Sequence, residues 1–312
     1  MPSGLTLLSI QLPYDILDRI LIYYCSEYFV LIRHVCRAWC NTVRCIDRTS
    51  NRQVAWEPLI TTFARNGHTR IIQWLLATWG SNILIDWRLV APVAARRGFV
   101  DIVRLCHEHC KLEPNLCSSI AATGAERGFK DIVRLCVEDF GMTESIDYVM
   151  ASAGRGGYED IVRLCKENYG ATDVDWVLKS AACYGHENIV RLCIDEYDAM
   201  DVNGAMVDAA FFGQEHIVRL CKEEYGATYV DCAMTHAAAF GHISIVRLCR
   251  EEYGATHVNG AMACAALYGH EHIVRLCMQE YGATNVDRAR RNAATRGHDH
   301  IVRLLTQWQQ EQ

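Results

Sequence analysis

Apolar residues fall along this chain in recurring blocks. The string Ile-Val-Arg-Leu-Cys begins at Ile102, Ile132, Ile161, Ile189, Ile217, Ile245 and Ile273, with Ile-Val-Arg-Leu-Leu at Ile301 and a degenerate Ile-Ile-Gln-Trp-Leu at Ile71. Successive starts lie 31, 30, 29 and then five times 28 residues apart, and a glycine stands four residues before each one. Self-similarity at a fixed period of this length marks a repeat array, here of nine units.

Local signals divide each unit into two short helices. Asp86, Asn115, Asp147, Asp175, Asn203, Asp231, Asn259 and Asp287 precede the first helix as expected N-caps, residues whose side chains accept from its orphan N–H groups. That helix carries an alanine pair, as in Ala181-Ala182, Ala209-Ala210 and Ala237-Ala238. Side chains this small predict close approach between neighbouring helices, and the recurrent glycine predicts a left-handed end to the helix. The second helix bears Ile, Val, Leu, Cys and an aromatic such as Tyr169, Tyr197, Tyr225, Tyr253 or Tyr281, which predicts burial over most of its circumference. Gly170, Gly226, Gly254 and Gly282 then end it. One such pair cannot bury its own apolar faces, so its stability must come from stacking on its neighbours. The last unit finishes as LLTQWQQEQ, the polar tail expected of a capping repeat.

Composition agrees with this picture. Of 312 residues, 51% are hydrophobic, 22% charged and 5 are proline, as in a folded, helix-compatible chain. A formal net charge of −6 disfavours a general nucleic-acid binder, and no apolar run reaches the ~18–20 residues of a membrane span. The N-terminus lacks the basic region and cleavage site of a secretory signal. Of 16 cysteines, seven (Cys106, Cys136, Cys165, Cys193, Cys221, Cys249 and Cys277) occupy one position of the repeat. Helices packed ~8–10 Å apart hold such a column beyond the ~7 Å Cα reach of a disulfide. The column therefore reads as small buried apolar residues in a reducing, intracellular and cytoplasmic setting.

Candidate chemistry is sparse. Cys106-His107-Glu108-His109-Cys110 has metal-capable side chains, but on a helix only residues three or four apart share a face, which leaves His107 apart from Cys106 and His109. His68, His186, His242, His270 and His298 follow the repeat glycines and read as helix-end hydrogen-bonding residues, since Gln214 and Phe99 replace them without disturbing the period. The column Arg104, Arg134, Arg163, Arg191, Arg219, Arg247, Arg275 and Arg303 has an acid four residues on in six of its eight members, which predicts a salt-bridged, solvated face rather than a phosphate stripe. No Walker loop, G-x-S-x-G elbow or H-E-x-x-H is present, so no enzymatic activity, metal or cofactor is expected.

The motif Ala-Ala-x-x-Gly-His-x-x-Ile-Val-x-Leu, present as AAFGHISIVRL at 238–248 and AALYGHEHIVRL at 265–276, resembles the core of the ankyrin repeat, and Gly-Ala-Thr-x-Val-[Asp/Asn] resembles its ending. The resemblance covers residues 56–312 and implies an all-α solenoid of helical pairs. Ankyrin units are longer than these, and the Thr-Pro-Leu-His start is absent, so the projecting β-hairpins are expected to be missing and the loops tight and strand-free. Near-identical shortened units also resemble those of ankyrin proteins of large DNA viruses, which would imply the host cytoplasm.

The pair of residues before each glycine varies among otherwise identical units: Arg65-Asn66, Arg96-Arg97, Glu126-Arg127, Arg155-Gly156, Cys183-Tyr184, Phe211-Phe212, Ala239-Phe240, Leu267-Tyr268 and Thr295-Arg296. In ankyrin proteins the matching pair lines the ligand-binding surface. The resemblance therefore implies a target-binding stripe of Arg96, Arg97, Arg127, Arg155, Tyr184, Phe211, Phe212, Phe240, Leu267, Tyr268 and Arg296. It would be basic over the early units and aromatic over the later ones, suited to an acidic-plus-apolar protein segment. The alternative is that the aromatic rings pack between first helices as core.

Residues 12–39 stand outside the period and read as two or three amphipathic helices, with Pro13 at a helix start. Leu12-Pro13, Ile16, Ile20-Leu21, Tyr23, Val35-Cys36-Arg37 and Trp39 resemble an F-box. That resemblance implies docking on a Skp-family linker of a cullin-based ubiquitin ligase through Leu12, Pro13, Ile16, Ile20, Leu21 and Val35. The alternative is an N-terminal cap for the solenoid. The expected organisation is an F-box-like module at 8–48, a junction at 49–55 and nine repeats at 56–312. The expected function is that of a monomeric adaptor joining an unknown target protein to a ligase, the alternative being a stand-alone scaffold or sequestering protein.

Overall fold

The computed structural model describes residues 57–70, 72, 73, 76 and 85–311. The F-box-like segment at 8–48, its six docking positions and the junction at 49–55 lie outside the described residues. Among the described residues all regular structure is helical and no strand occurs, as the tight-loop expectation required. No helix among them is long and apolar enough to cross a membrane.

First helices of the units are α1 (Glu57–Arg65), α2 (Trp87–Ala95), α4 (Pro114–Glu126), α6 (Ile146–Gly156), α8 (Val174–Tyr184), α10 (Val202–Phe212), α12 (Val230–Ala239), α14 (Val258–Tyr268) and α16 (Val286–Thr295). Second helices are α3 (Val100–Cys110), α5 (Lys130–Arg134), α7 (Glu159–Arg163), α9 (Glu187–Asp195), α11 (Glu215–Glu223), α13 (Ile243–Arg247), α15 (Glu271–Gln279) and α17 (Asp299–Glu311). After α5, α7 and α13 the helix continues in wider π-helical turns over Leu135–Asp139, Leu164–Asn168 and Leu248–Glu252. Every substantial helix contact joins the two helices of one unit or like helices of adjacent units, which makes a serial stack of two layers.

Burial follows the repeat. The Ile, Val, Leu and Cys of the common string are buried in every unit from α3 to α15. Both alanines of the pair are fully buried at 181–182, 209–210, 237–238 and 265–266 because the next first helix lies against them. In α16, which has no successor, Ala293 is buried and Ala294 is exposed. The cysteine column lies in the core as free thiols. Burial there disfavours the thiolate and pushes Cys165, Cys193, Cys221, Cys249 and Cys277 up to about 12, which suits an apolar packing role.

The residue after each repeat glycine donates its N–H to the carbonyl five positions back, in most units the first alanine of the pair, as in His186 to Ala181 (2.9 Å) and His242 to Ala237 (2.9 Å). This six-residue closure needs a left-handed residue at the glycine. Second helices close one residue wider, with Ala199, Ala227, Ala255 and Ala283 donating to the column cysteine six positions back. At that turn Lys111 (φ 48°) and Asp198 (φ 54°) take the left-handed conformation that glycine holds at 141, 170, 226, 254 and 282.

The acceptor side chains differ from expectation. Asp86 does cap its own helix, accepting from Arg88 N–H at 3.0 Å, but Asp147, Asp175, Asn203, Asp231 and Asn259 lie just inside the first turn and reach the next unit instead. Asp175 accepts the amides of Met200 and Asp201 at 2.8 and 2.9 Å, and Asp231 those of Thr256 and His257 at 2.6 and 2.8 Å. The caps of α8, α10 and α16 are Asp173, Asp201 and Asn285, two residues earlier. Burial works against ionisation of Asp231, but the donated amides outweigh it and hold its carboxyl below the usual range.

Candidate protein-binding face

Two faces of the stack carry polar side chains, and only one is already occupied. On the second-helix face five arginines of the column are held by the following unit, Arg104 through Asp139. Arg163 donates both terminal nitrogens to Glu196 (2.6 and 2.7 Å), Arg191 to Glu224, Arg219 to Glu252 and Arg247 to Glu280. The expected partners four residues on are secondary: Glu167, Glu223 and Glu251 stand 3.6, 3.4 and 3.0 Å from their arginines. Those acids, with Glu138 and Asp195, chiefly accept a tyrosine hydroxyl from the next unit, as Glu223 does from Tyr253 at 2.6 Å. The bidentate bonds raise the affinity of these guanidinium groups for their protons and hold Glu196, Glu224 and Glu252 below the usual carboxylate range. Where it is clasped in this way the stripe is a splint between units and offers no free charge for phosphate.

The clasp at Arg134 is open. The residue matching Glu196 after Arg134 is Asn168, and Arg134 makes no ion pair. It lines a cavity of about 660 Å³ with Lys130, Arg163 and Tyr169.

Histidines after the glycines also bridge units. His186, His242, His270 and His298 direct Nε2 at the carbonyls of Arg155, Phe211, Ala239 and Leu267 at 2.9–3.1 Å, and the Gln214 amide donates to Cys183 at 3.3 Å. In the early units Phe99, Phe129 and Tyr158 place rings over Gly67, Gly98 and Gly128 at the same point. The helix-end role read for these positions therefore operates between units. The Cys106–Cys110 cluster disperses: His107 stacks on Phe140 (centroids 3.9 Å apart), His109 on Trp87 (5.0 Å), and the Cys110 thiol donates to the Cys106 carbonyl. No group of three metal-capable side chains converges among the described residues.

The variable pair lies on the open face of the first-helix layer. Tyr184, Phe212, Phe240 and Tyr268 are 51, 47, 41 and 46% exposed, so they are not core between first helices. Phe211 and Leu267, one position earlier, are half-buried. The rings form one continuous run: Tyr184 to Phe212 (6.0 Å), Phe212 to Phe211 (4.8 Å), Phe211 to Phe240 (3.8 Å) and Phe240 to Tyr268 (5.7 Å). Arg96, Arg97, Arg127 and Arg296 are exposed with no acidic partner among the described residues. Arg155 is half-buried and faces Glu126 at 3.8 Å, so the basic part of the stripe is partly neutralised there. Gly156 follows it because a Cβ would stand 2.3 Å from the Glu126 carbonyl.

Further side chains on this face escaped the reading of the pair. Tyr148, Trp176, Met200 and Tyr229 are exposed near the N-terminal ends of the first helices. They carry the same signal, since their positions hold Gly, Cys, Arg, Thr, Asp, Asn or His in other units. Between the two ends lies Asp208, half-buried and without a hydrogen bond. Burial raises its pKa, against the pull of Lys179 and with the push of Asp201, while Lys179 is itself engaged by Asp201.

No family model matches the chain. No curated protein matches it.

Proposed function

We propose that this chain is a non-enzymatic adaptor of ankyrin-like units, which takes a target protein on the first-helix face and, through an F-box-like segment at 8–48, recruits a Skp-family linker of a cullin ubiquitin ligase. The observation that carries the first half is the run of five contacting rings, four of them exposed, on a face whose opposite side is largely salt-bridged. Contiguous exposed aromatics beside unpaired arginines are the usual anchors of a protein interface. A stack of helical pairs supplies an extended surface. The second half rests on the sequence of residues 12–39 alone.

Two measurements test the two halves separately. A purified Skp-family linker should bind the full chain and not a chain lacking residues 1–50; no binding by either would leave a stand-alone scaffold. Phe212→Ala with Phe240→Ala should abolish target binding while the melting transition stays cooperative. Unchanged target binding would assign the rings to stability alone.

A further inference from the structure

The open face has two apolar rails. One is the aromatic run at the C-terminal ends of the first helices. The other, at their N-terminal ends, begins with Tyr148 and Trp176, whose ring centroids lie 5.9 Å apart. It continues through Met200 and Tyr229 on loops held against the starts of α8 and α10, because the Met200 amide donates to Asp175 (2.8 Å) and the Tyr229 amide to Asn203 (3.1 Å). Trp176 and Tyr184 are eight residues apart on α8, which places the rails about 12 Å apart along the helix axis.

The floor between the rails is low and polar. Ser180 adds a short side chain, Gly204 and Cys232 leave the Trp176 position low in α10 and α12, and His236 is turned to the Cys232 carbonyl at 2.8 Å. Lys179 is ion-paired with Asp201 and His236 is turned to a backbone carbonyl, so the Asp208 carboxylate between them has no hydrogen bond or ion pair among the described residues. A carboxylate half-removed from water without a partner is complementary to a cation.

An α-helix with its side chains is roughly 10–12 Å across, the width of this channel. Neighbouring first helices are about 8–10 Å apart, so the aromatic rail from Tyr184 to Tyr268 runs for about 25–30 Å, the length of a helix of roughly 20 residues. We infer that the partner segment is a single amphipathic α-helix, lying along the array between the two rails, with apolar side chains on both flanks and a lysine or arginine directed at Asp208. Acidic residues beyond its end nearest Arg155 would meet Arg127, Arg97 and Arg96. This inference rests on the reading of the aromatic run as the target-binding stripe.

The test selects a displayed library of random segments of roughly 20 residues against the full chain, then measures the enriched segments as synthetic peptides. Enriched sequences should repeat apolar residues at helical spacing on two flanks, carry a Lys or Arg, and become helical on binding. Trp176→Ala and Phe240→Ala should each weaken them by about tenfold or more, and Trp176→Phe should restore affinity. Asp208→Asn should weaken a Lys- or Arg-bearing peptide and leave its Ala-substituted version unchanged. Extended bound peptides, an empty selection, or indifference to both Trp176→Ala and Asp208→Asn would overturn the helix inference. If Phe212→Ala and Phe240→Ala still abolished target binding, the stripe itself would stand; indifference to those too would remove both. A concentration-dependent dimer dissolved by Trp176→Ala and Phe240→Ala would assign the face to a second copy of the chain, against the inference.

Discussion

Truncating Met206 to alanine tests how the stack holds together. Met206 is fully buried in α10, whose substantial contacts are confined to α8, α12 and its own partner α11. The change removes Cγ, Sδ and Cε, three methylene-sized groups at ~0.8 kcal/mol each, or about 2.4 kcal/mol of transfer free energy. A cavity between helices that cannot fully collapse raises the loss to about 3–4 kcal/mol. Because each unit touches only its neighbours, the loss should stay local. Hydrogen exchange followed by mass spectrometry should show faster exchange in α10 and α11, a smaller effect in α8 and α12, and none in α4 or α16. Equal acceleration from α4 to α16 would refute the nearest-neighbour account. A loss below about 1 kcal/mol in urea would refute the burial argument.

Other changes probe single features. Lys111→Gly should stabilise by about 0.5–1 kcal/mol in thermal or urea melts, because a left-handed residue with a Cβ is replaced where the equivalent glycines have open space around them. Asn168→Glu should close the open clasp at Arg134 and raise the melting temperature in low salt, a gain that Arg134→Gln should cancel. Burial lowers the pKa of His270 below its ordinary 6.5, so its neutral form is favoured in the folded state; its contribution is complete above that value and is lost as pH falls from 6.5 through the folded pKa. His270→Gln should therefore flatten the fall in melting temperature between about pH 7 and pH 5, since Gln214 already makes the equivalent bond.

Much of this architecture is written in the period. Helix pairs, glycine ends, buried cysteines and the polar last helix all follow from residues that recur within one unit, where local rules apply. Errors arose where the partner of a side chain belongs to another unit. Asp175 has the chemistry of an N-cap, and only the neighbour's loop turns it outward. The rule for residues four apart found Glu167 beside Arg163, yet the dominant partner is Glu196, one unit further on. That acid also recurs, as Glu224, Glu252 and Glu280, so the clasp was visible to a reading that compared adjacent units rather than adjacent turns. Variation among units located the aromatic run, and the same criterion applied to every position would have found Trp176 and Met200. That Asp208 has no partner is a property of three units together and has no signature in any one of them.

The four kinds of bond that cross each junction from α6 to α15 have a bearing on how such a chain changes over generations. Across each of these junctions the earlier unit presents an arginine and a helix-start acceptor forward, and the later unit a glutamate, a tyrosine hydroxyl and a histidine or glutamine backward. Matching plugs and sockets make these units interchangeable: a copied segment of 28 residues spliced at any of these joints meets a compatible neighbour on both sides. The joint between Arg134 and Asn168 lacks that match, and there the ends of the array would resist shuffling. Length, and with it the reach of the binding face, can thus be altered by gene duplication without redesigning a single contact.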